Sequence, residues 1–167
     1  DAIDGKHVGY GAQDLHWEDA GAYTGAVSGA MIADICAEYV LVGHSERRAL
    51  FGDNEAVVAK KMVAAYRNGL KPMLCVGENL EEREAGKTAR KIAMQLRNAL
   101  RVITAEQAES LVVAYEPVWA IGSGKAATAE DAQVVCRLIR EKIAAIFNDD
   151  VARKVRILYG GSVNEKN

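Results

Sequence analysis

Residues 111–125, Leu111-Val112-Val113-Ala114-Tyr115-Glu116-Pro117-Val118-Trp119-Ala120-Ile121-Gly122-Ser123-Gly124-Lys125, run from an apolar segment through a carboxylate into a glycine-rich loop. A short unbroken apolar run such as Leu111 to Ala114 is the mark of a strand buried in a parallel sheet. Glu116 then stands where the strand ends, and Pro117 stops it. Trp119 and Ile121 are large apolar residues in a loop that would ordinarily be polar, while Gly122 and Gly124 free the backbone to bend and approach a ligand. The loop reads as a lid. The string Gly122-Ser123-Gly124-Lys125-Ala126-Ala127 formally matches a dinucleotide fingerprint, but its first glycine lies six residues beyond Glu116 rather than in a tight turn after a strand. A P-loop would need glycine and a hydroxyl residue where the chain has Trp119 and Ala126. An ordinary surface loop with a solvated glutamate is the bland alternative.

Working outward, five apolar runs recur: Val8 to Gly11, Tyr39 to Gly43, Pro72 to Gly77, Leu111 to Tyr115 and Val155 to Gly160. Their spacing of roughly 30 to 45 residues is that of a strand, a helix and two loops. Asn54 to Asn68 carries a helical stripe at Val58, Met62, Ala65 and Tyr66, closed by Gly69 and Pro72. A second stripe runs through Ile92, Leu96, Leu100 and Ile103. A third helix is opened by Thr128 with Asp131, a capping-box variant, and continues through Val135, Ile139, Ile143 and Ile146. Alternating strands and helices of this kind make a parallel sheet covered by helices, either an open doubly wound sheet or a barrel. In both, loops at the C-terminal ends of the strands build the site. Those ends hold Gln13, His44, Glu78, Glu116 and Gly160-Gly161-Ser162. The charged run Glu81-Glu82-Arg83-Glu84 reads as a solvated helix face without chemistry.

Composition sets the outer limits. At 167 residues, 50% hydrophobic and 26% charged, the chain suits one globular domain with a sizeable core. A net charge of -2 and a pI near 6.0 favour neither nucleic acid nor an anionic membrane surface as partner. No stretch approaches the length of a membrane-spanning helix and the N-terminus lacks signal-peptide features, so the chain reads as cytoplasmic. Cys36, Cys75 and Cys136 are odd in number, far apart and set in apolar patterns, which predicts buried small hydrophobes rather than disulfides or a metal site. His44-Ser45-Glu46 lacks the Pro-Cys-x-x-Cys partner of zinc deaminases, so no metal is expected. Asp1 is not an initiating residue, and the chain reads as a piece of a longer protein.

The chain resembles the triosephosphate isomerase family. The resemblance rests on Val42-Gly43-His44-Ser45-Glu46-Arg47-Arg48, Leu74-Cys75-Val76-Gly77-Glu78, Tyr115-Glu116-Pro117-Val118-Trp119-Ala120-Ile121-Gly122 and Tyr159-Gly160-Gly161-Ser162-Val163-Asn164. It covers nearly the whole sequence, with Ser123 standing where many relatives have threonine. It implies a TIM (β/α)8 barrel, a fold of about 250 residues. Here it is represented by about five consecutive βα units, with residues 1–167 forming one domain incomplete at both ends and the first two strands and the last strand outside the chain. The implied activity is aldose-ketose isomerisation between dihydroxyacetone phosphate and D-glyceraldehyde 3-phosphate, in glycolysis and gluconeogenesis, without cofactor or metal.

The residue roles that follow are those known for the family itself. Glu116 is implied as the base and His44 as a neutral imidazole that polarises the carbonyl. Gly122 and Ser162 would bind phosphate through their amides, and Pro117, Trp119, Ile121, Gly124, Tyr159, Gly160 and Gly161 would form the lid and its support. Glu46 either orients the site or joins the adjacent arginines in an ion-pair network. Thr24 resembles the loop that docks into a partner subunit, which implies a homodimer. Two other readings stand beside this one: an inactive barrel fragment or partner-binding module that keeps the motifs, and a different phosphate-binding barrel enzyme.

Overall fold

The structure, a computed structural model, describes residues 8–121 and 126–163. Five parallel strands form one sheet in sequential order: β1 (Gly11–Ala12), β2 (Tyr39–Val42), β3 (Lys71–Val76), β4 (Val112–Tyr115) and β5 (Arg156–Tyr159). Four of them fall on the expected apolar runs. The first differs, because Val8 and Tyr10 are exposed and only Gly11 and Ala12 pair with β2. The close approach has a local cause: a Cβ on Gly11 would stand 2.4 Å from the Tyr39 carbonyl oxygen, so the ladder forms where the chain has no side chain.

Three long helices follow the stripes read in the sequence. Helices α1 (Gly29–Asp34) and α2 (Ser45–Leu50) precede α3 (Glu55–Arg67), whose first amides Ala56 N and Val57 N are capped by the Asn54 side chain. It stops at Asn68, where Gly69 takes φ +72. Helices α4 (Leu80–Glu84), α5 (Thr88–Leu100) and α6 (Ala105–Ala108) lie between β3 and β4. Next comes α7 (Ala129–Ile146), opened by the complete Thr128–Asp131 capping box, and then α8 (Asp149–Lys154).

The core decides between the two α/β architectures. Alternate strand residues Val40 and Val42, Leu74 and Val76, Val113 and Tyr115 pack in one cluster with Val58, Met62, Ile92, Leu96, Ile139 and Ile143 from the helices. Burying each large apolar side chain of this set contributes about 1.5 to 3 kcal/mol. The intervening residues Tyr39, Leu41 and Met73 point to the other face and remain half-exposed. A doubly wound sheet reverses its strand order at a switch point and carries helices on both faces. Unbroken sequential order with the helices packed on one face is instead a section of barrel wall. The cysteine expectation holds for buried Cys75 but not for Cys36, which is exposed just after α1 with φ +60; Cys136 is half-buried.

Candidate active site

Parallel register brings the C-terminal ends of β2 to β5 to one edge. His44 follows β2 after Gly43, Glu78 follows β3 after Gly77, Glu116 follows β4 directly and Gly160 follows β5 directly. Crowding there excludes a side chain at Gly77 and leaves little room for one at Gly160. A Cβ on Gly77 would sit 1.7 Å from the Glu116 carbonyl oxygen, and one on Gly160 would sit 3.2 Å from Glu116 Cγ.

His44 is the N-cap of α2, and its Nδ1 accepts the Glu46 amide hydrogen at 3.3 Å. An accepting Nδ1 carries no proton, which assigns the ring hydrogen to Nε2. Nε2 stands 2.9 Å from Glu116 Oε1. The other carboxylate oxygen, Oε2, accepts the Ser45 main-chain N–H at 2.9 Å. Glu116 is 4% exposed, and burial raises its carboxyl above the ordinary range, an effect opposed by His44, the Ser45 amide and Arg48. A buried, raised carboxylate beside a ring N–H has the character of a proton acceptor paired with a hydrogen-bond donor.

A second layer supports Glu116 from behind. Glu78, fully buried, accepts the Tyr115 hydroxyl and the Trp119 indole N–H, each at 3.1 Å. Trp119 lies in a 3-10 turn over Val118–Ala120, joined to Glu116 by Pro117. Burial beside Glu78 pushes the Tyr115 hydroxyl up, so it stays a neutral donor. Tyr159 packs edge-on against Tyr115 with ring centroids 6.2 Å apart.

The arginines after His44 choose partners other than Glu46. Arg48 reaches Glu55 at 2.7 Å and the carbonyls of Gly43 and Cys75. Arg47 joins Asp14, Asp53 and the buried Lys61 in a charge-balanced cluster. Exposed Glu46 instead stands 3.9 Å from His44 Nδ1. Of the two readings of Glu46, the ion-pair network with the adjacent arginines is not found among the described residues.

Of the residues singled out in the sequence, His44, Glu46, Glu116, Pro117, Trp119, Gly160 and Gly161 gather at this edge, with Ser162 two residues beyond Gly160. Ile121 is partly exposed just after the 3-10 turn. Gly122, Ser123 and Gly124 lie outside the described residues. Thr24 lies in an exposed turn closed by the Ala26 N–H to Tyr23 carbonyl bond. Among the described residues no group of three His, Cys, Asp or Glu side chains is placed to hold a metal ion, and no helix is long and apolar enough to cross a membrane.

The sequence model of the triosephosphate isomerase family matches residues 1–167. The chain is 52% identical over 167 residues to the triosephosphate isomerase of Carboxydothermus hydrogenoformans, 50% over 167 residues to that of Acetivibrio thermocellus and 54% over 166 residues to that of Moorella thermoacetica. The chain belongs to the triosephosphate isomerase family. These alignments cover 100%, 100% and 99% of this chain, and the chain spans 66% of the length of each of these relatives. Membership of the triosephosphate isomerase family agrees with the sequential strands and with a site at their C-terminal edge.

Some parts of the site were invisible in the sequence. The Ser45 amide carries no side-chain signature, and Tyr115 reads as one more apolar strand residue. Arg83 was set aside with a solvated charge run, yet it touches Glu78, Trp119 and Asp131. The available signal was its position in the short helix that directly follows Glu78.

Proposed function

We propose that this chain is the central part of a triosephosphate isomerase, a single eight-stranded barrel domain incomplete at both ends here. In this reading it interconverts dihydroxyacetone phosphate and D-glyceraldehyde 3-phosphate in the cytoplasm, within glycolysis and gluconeogenesis. The observation that carries it is the contact of 2.9 Å between His44 Nε2 and the buried carboxylate of Glu116 at the strand ends.

The chemistry follows from those two groups. Glu116 removes a proton from the hydroxymethyl carbon beside the substrate carbonyl, and the C–H electron pair forms a carbon–carbon double bond while the carbonyl electrons move onto oxygen. The His44 Nε2–H donates to that oxygen where negative charge develops. The hydroxyl proton on the first carbon's oxygen then passes to the neighbouring oxygen, with His44 Nε2 as the relay, and return of the abstracted proton to the neighbouring carbon completes the isomerisation. Because Nε2–H serves one acceptor at a time, substrate must displace Glu116 Oε1 and free the carboxylate to face carbon. Glu46 orients His44. The Gly122 and Ser162 amides hold the phosphate, since converging N–H groups suit a dianion and glycine allows close approach. The segment from Pro117 to Gly124 serves as the lid that keeps water from the enediolate, with Tyr159, Gly160 and Gly161 supporting it.

The protein acts as a homodimer in this reading, with the Thr24 turn docking into the second copy. Support comes from the exposed apolar side chains Tyr23 and Val27 on that loop and Leu50 and Phe51 at the end of α2. The test is an isomerase assay on the intact protein and on Glu116→Asp. The parent should convert dihydroxyacetone phosphate, and withdrawing the carboxylate by about 1 Å should reduce kcat on the order of 10²-fold. Parental turnover in Glu116→Asp would remove Glu116 from the role of base.

A further inference from the structure

Arg83 lies in α4, on a helix of only five residues whose neighbours are almost all charged. Its contacts reach three different chain segments. The guanidinium Cζ is 4.1 Å from the centre of the Trp119 ring, Nη2 is 2.6 Å from Asp131 Oδ1, and Nη1 is 3.5 Å from Glu78 Oε1. Asp131 is itself fixed, because its Oδ2 accepts the Thr128 amide in the capping box of α7. Arg83 therefore connects the segment after β3, the segment after β4 and the first turn of α7.

We propose that Arg83 is a positioning residue for Glu116, acting through Trp119. Glu78 holds the edge of the indole and Arg83 covers its face, so the ring is located in two directions. Only Pro117, with φ -68, and Val118 separate Trp119 from Glu116, and the 3-10 turn over Val118–Ala120 leaves little slack to absorb a displacement of the ring. A shift of Trp119 is passed on to the carboxylate. The planar guanidinium suits both jobs at once, stacking on the indole while its edge pairs with a carboxylate. Asp131 answers with the expected electrostatic signature: the Arg83 hydrogen bond holds its carboxyl below the ordinary range.

This inference rests on the isomerase reading above, and the test separates the two. Arg83→Met and Arg83→Lys are made in the intact protein. The readouts are kcat, KM, melting temperature and the indole N–H resonance of Trp119, assigned by its loss in Trp119→Phe. Arg83→Met should lower kcat on the order of 10- to 100-fold. Its KM should stay within about twofold of the parent, because substrate contacts are untouched. The Trp119 indole resonance should move. Arg83→Lys, which keeps the charge opposite Asp131 but not the flat stack, should recover part of the loss. Parental kcat in Arg83→Met, or a loss of kcat accompanied by unfolding at the assay temperature with an unmoved indole resonance in the folded fraction, overturns the proposal. A parent without isomerase activity refutes the functional reading and the effect on Glu116 with it, while the resonance still decides whether Arg83 holds Trp119.

Discussion

Ser45 and Glu116 lie 71 positions apart, and the Ser45 main-chain N–H donates to Glu116 Oε2 at 2.9 Å. The bond joins the end of β2 to the end of β4 across the end of β3, which lies between them in the sheet. Just beyond β3 lies Gly77, the position where any side chain would collide with the Glu116 backbone. The donor amide belongs to the first turn of α2, whose free N–H groups favour an anion. The site is thus held by backbone geometry as much as by side chains.

Replacing His44 with glutamine should lower kcat on the order of 10²- to 10³-fold, the usual cost of losing a donor to a developing oxyanion. Affinity for a phosphate-bearing substrate analogue should stay close to parental, because in the proposed mechanism His44 serves the carbonyl rather than the phosphate. Steady-state kinetics and analogue titration of the intact protein measure both. Unchanged turnover with weakened analogue binding would place His44 at the phosphate instead.

The raised carboxyl of Glu116 makes stability depend on pH with a defined sign. Between the ordinary carboxylate value and its raised folded value, the folded protein keeps a proton that the unfolded chain has released. Stability is therefore lost as pH rises through that window. Glu116→Gln lacks this titration, so its stability relative to the parent should climb across the window and level off above it. Urea unfolding of both proteins at a series of pH values gives the difference, and a fall of the variant relative to the parent over the same window would contradict a raised Glu116.

Lys61 is 3% exposed and pairs with Asp14 at 2.6 Å and Asp53 at 2.7 Å. Lys61→Met leaves a buried carboxylate short of a partner and should cost about 3 to 5 kcal/mol. The double variant Asp53→Leu with Lys61→Met keeps the Asp14–Arg47 pair and removes one charge of each sign. It should be more stable than the single variant. Denaturant midpoints of the three proteins check the order, and a double variant less stable than Lys61→Met would contradict this account of the cluster.

Strands and long helices were legible because burial writes itself into residue type: β4 is apolar at every position, and α7 opens on the capping box that its sequence announces. The ends Glu116 and His44 were legible for the same reason, as polar residues where apolar runs stop. Val8 and Tyr10 misled because an apolar pair at a sheet edge looks like a strand whether or not it is paired. Arg83 was hidden because a charge run looks solvated until its neighbours in space are known. Periodicity alone left barrel and open sheet both possible; the four motifs pointed to the barrel, and the strand order agrees with it.

The central claim is proton abstraction from carbon by Glu116, and solvent exchange tests it most directly. Dihydroxyacetone phosphate is incubated with the intact protein in heavy water, and the glyceraldehyde 3-phosphate formed is read by proton NMR. A carboxylate that takes a proton and exchanges it with solvent before returning it predicts product carrying deuterium at carbon 2. Glu116→Gln should give neither conversion nor exchange above background. Product formed without deuterium, or unchanged exchange in Glu116→Gln, would contradict the account.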